Sequence, residues 1–185
     1  MTSFWTGERI RLRAVEPEDA GALMRFAVEE ERRGDLLLPP RSAESHRARA
    51  KELAAEKSEG DCFRLVIEAL DTGEPVGTLG PHHANAREGW FEYGISLGAD
   101  HRRKGYAREA VGMLLRYMFA ERRFHRCGVR VLADNEASLA FHRGLGFVEE
   151  GRLREHVYVA GRHQDVVLFS LLAHEFGNQP PTGGH

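Results

Sequence analysis

The fold of this chain is decided by the stretch Ile95-Ser96-Leu97-Gly98-Ala99-Asp100-His101-Arg102-Arg103-Lys104-Gly105-Tyr106-Ala107-Arg108. It begins inside an apolar strand, predicted over residues 93–97, and turns through residues 98–100. A helix is predicted to begin at about Lys104 and to run to about Arg122, because apolar residues recur there at i, i+3 and i+4 spacing. The apolar positions of that helix are Ala107, Ala110, Val111, Leu114, Leu115 and Met118.

The turn between this strand and this helix carries the pattern Arg102-x-x-Gly105-x-Ala107. The first amides of a helix have no partner inside it and carry the positive end of the helix dipole. Small residues at positions 105 and 107 allow a ligand to approach the backbone closely, and the neighbouring arginine and lysine side chains add positive charge. These features favour a pyrophosphate site. In the alternative interpretation, Gly105 relieves a tight helix start and the cationic side chains are solvated.

The bulk properties of the 185 residues exclude several classes of protein. A formal net charge of −2 argues against a nucleic-acid binder, whose affinity depends on neutralising phosphates. Cys62 and Cys127 lie far apart and indicate neither a disulfide framework nor a metal site, and no His-Glu-x-x-His pattern occurs. Because the sequence shows no secretion signal and no apolar span of roughly 20 residues, we expect a soluble cytoplasmic protein.

The order of the predicted elements indicates an α/β chain with one domain over residues 1–176 and a Pro/Gly-rich, flexible tail over residues 177–185. Strands are predicted over residues 9–14, 63–70, 75–79, 88–97, 127–132, 147–159 and 165–172. The middle of the chain is therefore predicted to be an antiparallel meander that leads into the turn. Besides the helix after that turn, helices are predicted at about residues 17–33, at 43–57 after a Ser42 cap, and over a short segment that Asp134 or Asn135 caps and Gly144 ends.

Three local features of the first half of the chain carry further expectations. The first helix follows Pro17 and is predicted to turn one apolar face inward. Residues 82–85 are predicted to be irregular. The loop of residues 34–40 is expected either to pack on the core or to form one wall of an acceptor pocket, because it carries three leucines before two prolines. The apolar face of the first helix consists of Ala20, Leu23, Met24, Ala27 and Val28.

Three motifs resemble one known family, the GNAT N-acetyltransferases. Arg102-x-x-Gly105-x-Ala107 between a strand and a helix resembles the family's coenzyme A signature. The family's Asn-x-x-Ala/Ser…Gly-Phe segment is matched by the run Asn135-x-x-Ser138-x-x-x-His142-x-x-Leu145-Gly146-Phe147. The third motif resembles the RimJ/RimL-like branch, which holds ribosomal-protein N-terminal and spermidine/spermine acetyltransferases. It consists of Glu149-Glu150-Gly151-x-Leu153-Arg154 followed by Gly161 and Asp165.

The resemblance implies a GNAT fold, with a mixed and mostly antiparallel central sheet flanked by helices and acetyl-CoA in the split between the central strands. The cosubstrate is then acetyl-CoA, no metal is needed, and the acceptor is a primary amine. By position, the backbone of residues 95–97 would pair with the pantetheine arm, Asn135 would hydrogen-bond it, and Ser138 and His142 would line its far end. The cosubstrate residues carried over are Ile95, Ser96, Leu97, Arg102, Arg103, Lys104, Gly105, Tyr106, Ala107, Arg108, Asn135 and Ser138.

The resemblance also implies catalytic residues, because acetyl transfer must deprotonate an amine and protonate a leaving thiolate. Glu92 lies where many family members place a glutamate base; its alternative is a solvated or structural carboxylate. His142 stands where the family often has a general-acid tyrosine. It either donates that proton or is an exposed residue on a short helix. Ser138 occupies a position to which the RimL-like branch assigns the acid, and solvent is the remaining alternative.

Several functions stay open at this point. The first expectation is an acyltransferase that acetylates a protein or peptide N-terminal amine, and the second is a polyamine or other small-amine acetyltransferase. A polyamine site should gather carboxylates, which Glu29, Glu30, Glu31 and Asp35 could supply. The third is a non-catalytic acetyl-CoA-binding module. Since relatives in this branch are often dimers, a homodimer is one expectation for the assembly.

Overall fold

The structure is a computed structural model that describes residues 3–33, 39–56 and 60–177. Three sequence-based predictions fall wholly or partly outside these ranges. They are the leucine-rich part of the loop, the end of the second helix at Lys57, and the tail, of which only Gly177 is described. Within the described residues, no helix is long and apolar enough to cross a membrane.

The described strands form a mixed sheet in the order β1-β2-β3-β4-β5-β7-β6. The strands are β1 Ile10–Ala14, β2 Leu65–Ala69, β3 Pro75–Asn85, β4 Trp90–Leu97, β5 Arg126–Leu132, β6 Val148–Val159 and β7 Arg162–Leu172. The helices are α1 Ala20–Arg33, α2 Ala43–Ala55, α3 Tyr106–Arg116, α4 Glu136–Gly144 and α5 Ala173–Gly177. The mixed α/β class, the mostly antiparallel sheet and the order of the elements are as predicted.

The parallel pair formed by β4 and β5 is the feature that organises the functional region. Its register places Trp90 opposite Arg126, Phe91 opposite Cys127 and Glu92 opposite Gly128. Parallel neighbours need a crossover connection, and here helix α3 and the π-helical turn Tyr117–Glu121 provide it. The strand–helix–strand crossover predicted around the turn is therefore confirmed.

The described residues group into two compact units by their contacts. The first contains Met1–His82 and Gly94–Leu114, and the second contains His83–Tyr93 and Leu115–His185. Ile10, Ile67 and Leu79 are fully buried in the first unit. In the second unit, Phe91 packs edge-on against Phe119 and Phe124, with ring centroids 5.8 and 5.4 Å apart. The expectation of a single domain over residues 1–176 stays a prediction.

The inward face predicted for helix α1 is correct at Ala20, which is buried, and wrong at Met24, Ala27 and Val28, which are exposed. Ala22 and Phe26 are buried, whereas Met24 is 37% exposed and Val28 is 42% exposed. The reason is a tertiary anchor just before the helix. Asp19 is buried and accepts hydrogen bonds from the Arg13 guanidinium and from the backbone N–H of Glu16. This anchor fixes a 3₁₀ turn over Pro17–Asp19 and sets the rotation of the helix that follows.

The prediction that residues 82–85 are irregular is also wrong, because β3 continues to Asn85. Asn85 also accepts two hydrogen bonds from the turn that connects β3 to β4. The Asn85 carbonyl accepts from the Gly89 N–H at 2.8 Å, and its side-chain oxygen accepts from the Glu88 N–H at 3.1 Å. The extended strand therefore reaches the turn, although its last residues are polar.

The helix boundaries near the functional residues follow the sequence closely. Ser42 caps α2 by accepting from the Ser45 N–H, and Asn135 caps α4 by accepting from the Ser138 N–H, each at 3.1 Å. Helix α4 ends at Gly144 as predicted, and Gly146 supplies the left-handed residue beyond it, with φ +84°. Helix α3 begins at Tyr106 rather than at Lys104.

Candidate functional site

The turn after β4 is held open by two residues in the left-handed region. Arg103 has φ +60° and Gly105 has φ +83°, which is why the helix cannot begin before Tyr106. Gly98 anchors the start of the turn by donating its N–H to the Val76 carbonyl at 2.9 Å. The side chains of Arg102, Arg103 and Lys104 are all exposed. The turn thus presents three cations beside a helix N-terminus.

Arg9, near the start of the chain, holds this turn in place. The Arg9 guanidinium donates to the Lys104 carbonyl at 2.9 Å, and a Cβ added at Gly105 would lie 2.7 Å from Arg9 Nη1. Glu109, one turn into α3, accepts from the Arg9 backbone N–H at 3.2 Å. Sequence reasoning missed Arg9, because nothing in its local pattern points to a partner 95 positions away.

The arrangement fits the diphosphate and pantetheine portions of a coenzyme A thioester. The first amides of α3 lack partners within the helix and follow an exposed glycine, with a small half-buried residue at Ala107. Ser96, near the end of β4, is buried, and its hydroxyl has no hydrogen-bond partner among the described residues. A bound molecule with a polar group would satisfy that atom.

Glu29 contacts the same turn through its carboxylate. Its Oε2 accepts from the Ala99 N–H at 2.6 Å and lies 3.7 Å from Arg102 Nη2. Among the acidic residues considered for a polyamine site, it is the one whose side chain the structure describes. It therefore has a structural role at the turn.

A second cluster lies in the other unit, where Ser138 and His142 come together on helix α4. His142 Nδ1 lies 2.8 Å from the Ser138 carbonyl oxygen and 3.4 Å from Ser138 Oγ. His142 Nε2 lies 3.1 Å from the Tyr93 hydroxyl of β4. His142 is 5% exposed, so the expectation of an exposed histidine on a short helix is wrong.

The hydrogen-bond partners of His142 assign its tautomer. A carbonyl oxygen can only accept, so Nδ1 carries the proton and Nε2 accepts from the Tyr93 hydroxyl. Burial lowers the pKa of His142, and the bond to the Ser138 carbonyl opposes this only in part. Burial, with a smaller electrostatic contribution from Cys127, raises the pKa of Tyr93 well above its usual range. Both side chains are therefore neutral at neutral pH.

The neutral histidine predicts a pH dependence of stability. Because the folded pKa of His142 lies below its unfolded value of about 6.5, the unfolded chain binds a proton first as the pH falls. The free energy of unfolding should therefore decrease below about pH 6.5, by at most about 1.4 kcal/mol per pH unit from this one group. Urea unfolding at pH 7.5 and 5.5 should show a smaller loss in His142→Gln. Tyr93 is the titratable group that contacts the ring, and an equal loss in both proteins would contradict the assignment.

Glu92 lies at an open cleft in the same unit. Its side chain is 24% exposed, and its Oε2 lies 3.2 Å from His83 Nδ1. Arg126 donates to Glu150 through Nη1 and Nη2 and holds the pKa of that carboxyl below its usual range. The cleft has a volume of about 290 Å³ and is lined by Trp90, Phe91, Glu92, Arg126, Gly128, Val129, Arg130, Glu150, Leu168 and Phe169.

The structure places the predicted residues in three positions. The predicted cosubstrate residues 95–97 and 102–108 form the end of β4, the turn and the start of α3. Asn135, Ser138 and His142 share helix α4 or its cap. Glu92 is on β4 with His83 as a side-chain neighbour. Sequence reasoning missed Tyr93, since its hydroxyl meets His142 across 49 positions.

Comparison with known proteins identifies relatives along most of this chain. A family model described as "Acetyltransferase (GNAT) domain" matches residues 9–148. An uncharacterised N-acetyltransferase, YokL, from a prophage of Bacillus subtilis (strain 168) is 33% identical over 94% of this chain and 96% of its own length. The ribosomal protein uS5-alanine N-acetyltransferase of Escherichia coli (strain K12) is 27% identical over 90% of this chain and 89% of its own.

Relatives with a different substrate are also found. A spermidine N(1)-acetyltransferase of Vibrio cholerae (strain El Tor Inaba N16961) is 32% identical over 48% of this chain and 51% of its own length. Among solved structures, a crystal structure described as "Probable acetyltransferase" has a TM-score of 0.81 and 28% identity, covering 91% of this chain and 96% of that one.

Proposed function

From the premise that this chain belongs to the GNAT family and is an N-acetyltransferase, we propose that its acceptor is the N-terminal amine of a protein or peptide. The enzyme class and the family follow from the matches over most of the chain. The acceptor is the step beyond them, because relatives include both a ribosomal-protein and a spermidine acetyltransferase. The charged residues around Glu92 favour a peptide N-terminal amine over a polyamine as the acceptor.

The cleft beside Glu92 is poorly suited to a polycation. Its other charged residues are Arg126, Arg130 and Glu150, and Glu150 is already neutralised by Arg126. A polyamine carries several ammonium groups and needs several carboxylates to receive them. Glu29, one of the acidic residues considered for a polyamine site, already accepts a hydrogen bond from the Ala99 N–H of the turn. A single amine next to a neutral peptide backbone matches this charge distribution better.

We propose that the cosubstrate lies along the part of β4 beyond Glu92, the last residue that pairs with β5. The backbone of Ile95, Ser96 and Leu97 would hold the pantetheine arm, and Ser138 would line it beside the Asn135 cap. The turn would hold the diphosphate through backbone amides and positive charge. The residues assigned to that part are Arg102, Arg103, Lys104, Gly105, Tyr106, Ala107 and Arg108.

Acetyl-CoA, when bound, supplies a carbonyl already activated as a thioester. The Glu92 carboxylate takes a proton from the acceptor amine, so that the nitrogen can attack. Backbone amides of β4 near Leu97 would donate to the carbonyl oxygen as its charge grows. One carbon–nitrogen bond forms and one carbon–sulfur bond breaks. An acceptor that arrives as an ammonium loses two protons, the first to Glu92 before attack and the second to solvent as the amide forms, and the sulfur gains one. Positioning contributes much of the acceleration, since a neutral amine is already a good nucleophile.

The proposal is tested by the free thiol that the purified protein releases from acetyl-CoA. One acceptor pool contains short peptides with varied first residues, and the other contains free polyamines. We expect release with peptides and at least about tenfold less with polyamines. Thiol release with polyamines alone would overturn the proposal that the acceptor is a peptide N-terminal amine. Tight binding of acetyl-CoA without release in either pool, or with other small amines, would favour a binding module instead.

A further inference from the structure

The environment of His142 leaves it no proton to give. Its ring lies among Phe141, Phe147 and Phe169, at centroid distances of 5.2, 5.3 and 6.3 Å. The polar partner from another element is Tyr93, which donates to Nε2. The one N–H of the neutral ring is shared between two acceptors of Ser138, the carbonyl oxygen at 2.8 Å and Oγ at 3.4 Å. A buried neutral ring in this state cannot act as a general acid without first breaking one of these bonds.

The same ring constrains the hydroxyl of Ser138. Nδ1–H faces both the Ser138 carbonyl and, at 3.4 Å, Ser138 Oγ. A hydroxyl rotates to suit its surroundings. With a donor on the histidine side, Oγ accepts there and its own proton points away from the ring. Asn135 fixes the backbone of Ser138 from the other side through the helix cap.

We propose that His142 is a positioning residue that acts through Ser138: the fixed neutral ring orients the serine hydroxyl, and that hydroxyl donates to the leaving sulfur. This inference rests on the proposed acetyl transfer, because it assigns the donor for that reaction. The proton balance is unchanged. The sulfur receives a proton through the Ser138 hydroxyl, solvent restores it, and Glu92 holds the proton taken from the amine. His142 keeps its proton throughout.

Two variants of His142 each preserve half of its hydrogen bonding. In His142→Asn, the amide nitrogen takes the place of Nδ1 and keeps the donor toward Ser138. In His142→Gln, the amide oxygen takes the place of Nε2 and keeps the acceptor for Tyr93. If the ring acts through Ser138, His142→Asn should keep kcat within about threefold, and His142→Gln should lower kcat about tenfold with KM for acetyl-CoA little changed.

The decisive experiment repeats both variants in a Ser138→Ala background. There we expect them to differ from each other and from Ser138→Ala by no more than about twofold, because the hydroxyl that the ring orients is absent. The pH profile of kcat should keep its shape in His142→Asn. His163→Gln, the same change at an exposed histidine, serves as the control. Equal losses in both variants that persist without the serine hydroxyl would overturn the proposal.

A second measurement tests the geometry without activity. Nitrogen-15 NMR of the wild-type protein, with His142 assigned by comparison with His142→Asn, should find a neutral ring protonated at Nδ1 at pH 7. A protonated ring, or a proton on Nε2, would overturn the inference even if acetyl transfer is found. A wild-type protein that transfers no acetyl group in any assay would instead overturn the proposed function and the donor role with it, whatever the tautomer.

Discussion

Glu92→Gln is expected to lower kcat/KM for acetyl transfer by about 100-fold, because a positioned general base contributes on the order of that factor or more. Glutamine keeps the shape of the side chain at the half-buried edge of the cleft but cannot take the proton from the amine. The dissociation constant of acetyl-CoA should not change, since no cosubstrate contact is assigned to Glu92. Steady-state kinetics with a peptide acceptor and calorimetric binding of acetyl-CoA measure the two quantities.

The pH dependence of this defect distinguishes a base from a structural carboxylate. An N-terminal amine has an ordinary pKa of about 8, so at higher pH more of it arrives neutral and needs no base. The defect of Glu92→Gln should therefore shrink as the pH rises from 7 to 9. Glu74→Gln, the same change in an exposed turn, is the control. Unchanged kinetics in Glu92→Gln would remove Glu92 from the mechanism.

The parts of the fold that sequence predicts well are those decided by neighbours along the chain. Helix α3 and the π-helical turn after it follow from the apolar spacing that ends at Met118. The caps at Ser42 and Asn135 follow from side chains that reach only three residues ahead. The turn before α3 was recognised from its glycine. The residue at which the turn ends could not be predicted. The left-handed conformation of Arg103 depends on the surrounding structure and not on the residue type arginine.

The parts that sequence missed depend on partners distant in the chain. The Asp19–Arg13 ion pair sets which face of helix α1 is buried, and the spacing of apolar residues does not reveal where that ion pair lies. The sequence left two interpretations of His142 open, a proton donor or an exposed residue on a short helix. Its burial comes from Phe169 and Tyr93, which belong to two other strands of the sheet. Candidate residue types were thus readable from spacing, whereas their protonation and partners required the tertiary structure.

Gly105→Ala is expected to raise the dissociation constant of acetyl-CoA by about 30-fold, because a diphosphate must approach the backbone at the start of α3 closely. The added methyl group would lie 2.7 Å from Arg9 Nη1, so the guanidinium must move away from the Lys104 carbonyl that it supports. The positive φ of residue 105 is also unfavourable for alanine. Both effects disturb the turn at the point where the phosphates are proposed to bind.

Gly161→Ala separates these two effects. Gly161 has nearly the same φ, +80°, but an added Cβ there would meet nothing within 4 Å. Both variants should lose stability from the left-handed alanine, by about 1 kcal/mol each, whereas only Gly105→Ala should lose cosubstrate affinity. Calorimetric titration of acetyl-CoA into each variant, beside urea unfolding, makes the comparison. Equal affinity in the two variants would mean that the Arg102-x-x-Gly105-x-Ala107 turn does not hold the diphosphate, and that its resemblance to the coenzyme A signature reflects only the start of a helix.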